Sequence, residues 1–313
     1  MAKSLSIIAC TLTVLMLVLV SGRYFTGLWL FHTFASFQIQ GAAIALLGAI
    51  VAFLLHRHLI PALLGIIAIV IGVHGYMMLG DFAQEDDGTI GDLPTAFTLI
   101  DMNIMGDNSA NGKKIADFVI GSGADVIFLQ ESAPIGPEID RIKKIYPYRL
   151  GCGAKTITCD QSLWSKRPFV YDEAKTASPI YRDRLMLAGI DFDGQTVNFA
   201  NVHFTKPYFD GFLSTELGRV KKFISEKNGP LLLAGDFNSS ILTPNVRKFI
   251  EDTRLVTVGR EPHTWPVGLP QIGMAIDHLF VRDGLVIKSL ERIEETNGSN
   301  HYGLRAEIAF KAK

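Results

Sequence analysis

The sequence predicts a membrane region of three helices followed by one α/β domain rich in strands. Three observations carry this. Hydrophobic residues make up 48% of the 313, and they are concentrated in the first 80. From about residue 95 the texture changes to short apolar runs, separated by Gly, Asp and Asn and by polar stretches of helical spacing. Polar residues of a few types then recur at the ends of those runs. The net charge of −1 gives no global pull toward nucleic acid, whereas a soluble electrostatic DNA binder is usually basic.

The membrane region comes first. Residues 5–20 (LSIIACTLTVLMLVLV) and 36–55 (SFQIQGAAIALLGAIVAFLL) are uncharged, and 59–79 (LIPALLGIIAIVIGVHGYMML) hold His74 as the only side chain that titrates near neutral pH. A bilayer core needs about 20 mostly apolar residues per helix; the second and third stretches meet that and the first comes close. A cleaved signal peptide is the alternative for the first, but its run is long and SGRYFTG is a poor cleavage site. Lys3 and the HRH at 56–58 put the amino terminus and the second loop in the cytoplasm. Arg23, on the other side, runs against that rule. The third helix then exits outward into DFAQEDDGTIGD, with five acidic residues and no basic one. The expected layout is a membrane region over 1–80, a solvated acidic linker over 81–94 and a domain over 95–313. The protein is expected in a bacterial inner membrane, amino terminus cytoplasmic and domain periplasmic. The interior of these helices offers Gln38, Gln40 and His74 and little else. An intramembrane ionisable group is a functional hypothesis by default, but one His near a helix end suits the interface. The region reads as an anchor, with a sensor role as the lesser alternative.

The cysteines agree with an outward domain. Cys10 sits in the first helix. Cys152 and Cys159 enclose GAKTIT, a loop composition that a disulfide closes, and disulfides persist outside the cytosol. Two free thiols are the alternative; a zinc pair lacks a matching Cys or His pair nearby.

Along the domain, AFTLIDMNI (96–104) reads as a strand and GKKIADFVIGSG (112–123) as a helix ending at Gly. DVIFLQES (125–132) is a buried strand with a polar end. RLMLAGIDF (184–192) and QTVNFANVHF (195–204) form a hairpin across an Asp-Gly turn. TELGRVKKFISEKN (215–228) is a helix, LLLAGDFN (231–238) a core strand, and IDHLFVRDG (276–284) and LRAEIAF (304–310) late strands.

The chemistry lies where those strands end. Asn103 follows TLIDM, Glu131 follows VIFLQ, His203 follows VNFANV, and Asp236 and Asn238 follow LLLAG. Side chains alternate along a strand, so Asp236 and Asn238 share a side while Phe237 packs opposite. A turn cap is the plain alternative for that pair. Asp277 follows MAI, and Asn300 and His301 precede the last strand. His278 points away from Asp277 and reads as structural. Carboxylates and carboxamides without a Cys cluster favour a hard cation such as Mg²⁺ or Mn²⁺, and histidines beside them supply acid, base or oxyanion stabilisation.

This ordered set (Asn103, LQES with Glu131, NVHF with His203, GDFN, IDH and SNH) resembles the endonuclease/exonuclease/phosphatase superfamily, over residues 95–311. The resemblance implies a four-layer αββα sandwich of the DNase I-like type and divalent-metal-dependent cleavage of phosphomono- or phosphodiesters. It implies Glu131 as principal metal ligand with Asn103 beside it, and Asp236 as the group orienting or deprotonating water. Asn238 positions phosphate, His203 contacts phosphate or the leaving group, and Asp277 holds His301; either Asp236 or His301 is the base. Asn300 stands where the family usually has Asp, which keeps an oxygen donor for the metal but loses a charge. Arg182 is preferred over Arg184 as the phosphate-binding residue, the other being a surface ion pair. Lys206, Tyr208 and Phe209 follow His203 in a loop placed to gate the site.

The substrate is expected to be a phosphate ester met outside the cytoplasm: nucleic acid first, a phospholipid or lipid-linked phosphate second, with the bilayer as the other partner. A catalytically weakened binding or sensor protein is the reading of a different class, with Asn300 as its support.

Overall fold

The structure, a computed structural model, describes residues 1–208 and 211–311, so Phe209 of the gating loop lies outside the described residues. The chain divides into a helical unit, Met1–Asp81 with Ser239–Lys248, and a second unit, Phe82–Asn238 with Phe249–Lys313.

In the helical unit, α1 (Ala2–Ser21), α3 (Gln38–Leu55) and α4 (Leu59–Met78) are long and apolar enough to cross a membrane. A short α2 (Trp29–Ala35) lies between the first two; at seven residues it falls far below the roughly 20 that a span needs. Helices in lipid gain nothing from excluding water, so they associate by close packing of small residues. Accordingly Ala42, Ala45, Ala49 and Ala52 of α3 and Ala68 of α4 are buried, while Leu47, Leu54, Ile66 and Val70 are exposed.

The second unit is built on two sheets. One has six strands: β1 (Phe97–Asn103), β2 (Val126–Gln130), β3 (Tyr148–Gly151), β4 (Gln161–Ser165), β10 (Leu285–Ile293) and β11 (Gly303–Phe310), ordered β10-β11-β1-β2-β4-β3. The other has β5 (Phe169–Lys175), β6 (Leu185–Phe192), β7 (Gln195–His203), β8 (Leu231–Asp236) and β9 (Asp277–Arg282) in sequence order. Both sheets are mixed: β1 and β2 run parallel, as do β7 and β8, and the other pairs are antiparallel.

The two faces of the first sheet separate by parity. Phe97, Leu99, Val126 and Phe128 join Phe199, Leu232, Ala234, Leu279 and Val281 in the core between the sheets. Ile100, Met102, Ile127 and Leu129 turn outward and pack with Ile115, Ala116 and Val119 of α5 (Gly112–Gly121). A short α6 (Ile139–Ile142) follows β2. The second sheet carries α7 (Phe212–Ser225), whose Leu213, Leu217, Val220 and Ile224 are buried at helical spacing. Phe249 of α8 (Pro244–Thr253) packs edge-on against Phe204 and Phe237. This is the α/β DNase I-like sandwich, behind three apolar helices.

The stretch expected as a solvated linker is held at both ends. Gln84 exchanges hydrogen bonds with the backbone of Ile287, 2.7 and 2.9 Å, and Phe82 and Ile90 are buried. Its acidic middle, residues 85–89, is exposed throughout.

Candidate active site

The face between the sheets changes character along each strand. On β1 it reads Phe97, Leu99, Asp101, Asn103; on β2 Val126, Phe128, Gln130; on β7 Val197, Phe199, Asn201, His203; on β8 Leu232, Ala234, Asp236. β9 runs the other way, from Asp277 to Leu279 and Val281. One end of the apolar core is therefore a polar layer, which period-two geometry assembles from strands far apart in sequence.

At that end Asn103 Nδ2 donates to Asp236 Oδ2 at 2.9 Å and to Glu131 Oε1 at 3.2 Å. Glu131 Oε2 accepts the Gly106 N–H at 2.6 Å. Asp236 Oδ1 accepts the Asn238 N–H at 2.7 Å, and Asn238 Nδ2 donates to Asp236 Oδ2 at 3.1 Å and to the Phe204 carbonyl at 3.0 Å. Phe237, turned away as alternation requires, is fully buried against Phe204, Phe280 and His278. His278 itself bonds Glu261 at 2.6 Å outside the polar layer. Gly235 permits the approach of β8 to β7: it has φ 141°, and a Cβ there would lie 1.9 Å from the Val202 carbonyl oxygen.

Two histidines enter from opposite sides, each backed by a carboxylate. His301 Nδ1 meets Asp277 Oδ2 at 2.9 Å, both buried. His203 Nδ1 meets Asp160 Oδ2 at 2.8 Å, and its Nε2 lies 3.7 Å from Asp236 Oδ2. Asp160 also accepts Arg184 Nη2 at 2.8 Å, and that guanidinium sits 3.6 Å over the Tyr181 ring. Ser299 ties the last loop to β1, donating to the Asn103 carbonyl at 2.6 Å and accepting the His301 N–H at 3.1 Å.

These environments set the protonation states. Burial alone would lower the His301 pKa, but the negative charges of Asp277 and Asp236 override it and lift it to about 9. Burial, then the neighbouring Asp277, raises the Asp236 pKa. Burial works against ionised Glu131, yet the Gly106 N–H and the Asn103 amide hold its pKa below the usual value. Burial likewise opposes ionised Asp160, and His203 and Arg184 overcome it.

Beside these groups lies a cavity of about 580 Å³. Glu131, Asp160, His203 and Asn238 line it with Tyr181, Arg182, Arg184, Lys206 and Tyr208. Cys152 and Cys159 are bonded, and Thr158 and Cys159 form part of the same wall. Arg182 is exposed on the wall, while Arg184 makes the ion pair, at the site rather than on the open surface. Asn300 is exposed and outside the cavity lining.

Sequence reading missed Asp160. It stands just before β4, and the rule that polar residues end buried strands picks it out once Gln161–Ser165 is recognised as a strand. It also missed Asp101, whose Oδ1 accepts Gln130 Nε2 at 2.7 Å and whose pKa burial, then Asp277, raises well above the usual range. Its signal was available too, since Asp101 lies two residues before Asn103.

Two groupings offer metal donors. Asp236, Asp277 and His301 have donor atoms within 4.8 Å of one another. Glu131 places a carboxylate on the cavity wall beside the Asn103 amide, and oxygen donors of this kind fit a hard cation.

The Endonuclease/Exonuclease/phosphatase family profile matches residues 102–301. No curated protein matches the chain significantly. Among solved structures, sphingomyelinase C from Streptomyces griseocarneus aligns with TM-score 0.53 and 15% identity over 68% of this chain and 99% of its own. D. rerio TDP2 complexed with a single-stranded DNA product aligns with TM-score 0.54 and 18% identity, over 68% and 98%. A Staphylococcus aureus beta toxin variant with bound magnesium ions aligns with TM-score 0.53 and 14% identity, over 67% and 99%. These likenesses bear on the fold; the profile, which spans the polar end of the core from Met102 to His301, bears on the family. The chain belongs to the Endonuclease/Exonuclease/phosphatase family, whose members hydrolyse phosphoric esters.

Proposed function

We propose that this protein is a membrane-anchored phosphodiester hydrolase that works with Mg²⁺ or Mn²⁺ on the extracytoplasmic side. One observation carries the reading: Asn103, Glu131, His203, Asp236 and His301 come from both sheets to one polar end, beside a cavity of about 580 Å³. Glu131 and Asn103 would hold the cation, with Asn300 as a further oxygen donor. A cation held there would supply charge neutralisation of the phosphoryl oxygens and a more acidic attacking water.

The protein groups divide the remaining work. Asp236, raised by burial and by Asp277, accepts the proton of the attacking water. Asn238 donates its amide to a phosphoryl oxygen. His301, charged at neutral pH, stabilises the negative charge that grows on the phosphate. His203, oriented by Asp160, serves the leaving oxygen as the water–phosphorus bond forms and the ester bond breaks. Arg182, on the cavity wall, binds a flanking phosphate.

The wall of Tyr181, Tyr208, Arg182 and Lys206 supports a nuclease-like substrate, since rings stack bases and cations track a phosphate backbone. A lipid substrate is the second reading. It is supported by exposed Leu269 and Ile272 in a loop whose Gly268 N–H bonds the hydroxyl of Tyr302, next to His301. The test is hydrolysis by the purified full-length protein of bis(p-nitrophenyl) phosphate, plasmid DNA, RNA and anionic phospholipid vesicles. Mg²⁺ or Mn²⁺ is compared with EDTA, and Asp236→Ala is the control. Metal-dependent turnover lost in the variant is expected; turnover that survives both EDTA and the substitution overturns the reading.

A further inference from the structure

Arg23 breaks the charge rule of the membrane region, and its surroundings give it work. The segment Ser239–Lys248, which begins one residue after Asn238, belongs to the helical unit. Its Ser240, Ile241, Leu242 and Thr243 are buried. Loops normally run over the surface, because a buried loop must find partners for its backbone. Here the partners come from the helical unit. Arg23 Nη1 donates to the Leu242 carbonyl. Ser36 Oγ accepts the Ser240 N–H at 3.1 Å and lies 2.8 Å from Thr243 Oγ1. Arg247 donates to the Met78 carbonyl at 3.2 Å and to Asp81 at 2.6 Å.

Arg23 is itself held. Gln38, fully buried, offers Oε1 to the guanidinium at 3.4 Å. Its Nε2 donates to the Tyr24 hydroxyl at 2.9 Å and to the Ile71 carbonyl at 3.0 Å. Tyr24 in turn meets His74 Nδ1 at 2.8 Å. Gln38, His74 and Arg23, three residues that fit poorly with a plain anchor, thus form one chain of bonds ending on the segment after Asn238. A charge near lipid is costly without partners, and a bare anchor has no use for this one.

We propose that Arg23 and Ser36 are positioning residues for the active site. By fixing Ser239–Thr243 they hold the backbone that carries Asn238 and, two residues earlier, Asp236. The helices then set the catalytic rate as well as the address of the enzyme. Only the kinetic half of the test rests on the phosphodiesterase reading.

The test uses the full chain in nanodiscs and compares wild type with Arg23→Ala, Arg23→Lys and Ser36→Ala. Two quantities are read: kcat and KM for bis(p-nitrophenyl) phosphate with Mn²⁺, and amide hydrogen exchange over residues 236–243. Misplacing a catalytic group by a fraction of a bond length is costly, so Arg23→Ala should lower kcat about 10-fold or more with KM nearly unchanged. Arg23→Lys should recover part of the loss, Ser36→Ala should fall between, and exchange should quicken in the same order. Wild-type kcat and exchange in both alanine variants overturn the proposal. If Arg23→Ala does not fold, Ser36→Ala, which removes one hydroxyl, decides. If the wild type turns over no diester, the phosphodiesterase reading falls, and exchange alone decides whether the segment is held.

Discussion

The two histidine–aspartate pairs look alike in sequence terms and differ in surroundings. His301 and Asp277 are both buried, and Asp236 adds a second negative charge. His203 is buried, but its Asp160 borders the cavity and is shared with Arg184. The first pair is a carboxylate cluster around a charged imidazole. The second is a hydrogen-bonded chain from Arg184 through Asp160 to His203 that reaches the cavity wall. A fixed cation suits stabilisation of phosphate, and a histidine on an adjustable carboxylate suits a group that releases and regains a proton.

The largest effects should come from residues both sides share or depend on. Asp236→Ala and His301→Gln should each reduce kcat about 10³-fold, within the range for removing an acid–base group; a steady-state assay with saturating Mg²⁺ checks this, and loss below tenfold removes either residue from the chemistry. Asp160→Asn should cost less, about 10- to 100-fold, because His203 keeps a hydrogen-bond partner but loses the compensating charge. A loss equal to that of Asp236→Ala would erase the distinction between the pairs.

pH sharpens the comparison. With the His301 pKa at about 9 against 6.5 for an ordinary imidazole, activity needing its charge should fall as pH rises through about 9. Asp277→Asn should move that alkaline limb toward neutrality, while Asp160→Asn should leave it in place. Stability follows the same sign: a raised folded-state pKa stabilises fully below about pH 6.5 and the contribution is lost as pH rises through about 9. Unfolding midpoints of wild type and Asp277→Asn, measured from pH 6 to 10, would show the two converging at the alkaline end.

Smaller effects test the rims. Reducing the Cys152–Cys159 bond should destabilise by about 2 kcal/mol, as expected for so short a loop, and act on kcat through the neighbouring Asp160 rather than through His301. Thermal unfolding and kinetics with and without dithiothreitol separate the two. Asn300→Asp should act least, lowering the Mg²⁺ concentration for half-maximal rate a few-fold by restoring one charge at the rim; a rise instead would remove position 300 from the metal site.

Much of this arrangement could be read from the chain because it obeys strand periodicity. Asn103, His203, Asp236 and Asp277 lie at ends of buried runs, and a period of two puts them on one face; Glu131, one residue past Gln130, is off that period and stands in left-handed backbone just beyond β2. Phe237 and His278 followed the same rule to the opposite face. What escaped reading does not follow from local pattern. Asp160 belongs to a strand whose sequence, QSLWS, lacks a strong apolar signature. The choice between Arg182 and Arg184 depends on which one meets Asp160, a tertiary fact. Ser239–Lys248 joins the helical unit through contacts with residues far away in the chain, among them bonds to Arg23 and Ser36 more than 200 residues earlier.

Glu131 and Asn238 share one more property. Both hold left-handed backbone, φ 53° and 50°, where a side chain costs about 1 kcal/mol or more relative to glycine. Glycine at either position should relax that conformation, and it would also delete the metal ligand or the phosphate donor. Where that relief outweighs the bonds lost to Asn103 and Gly106, or to Phe204 and Asp236, a screen for thermal tolerance alone would enrich the inactive proteins. In this fold, selection for hydrolysis and selection for heat resistance pull those two positions in opposite directions.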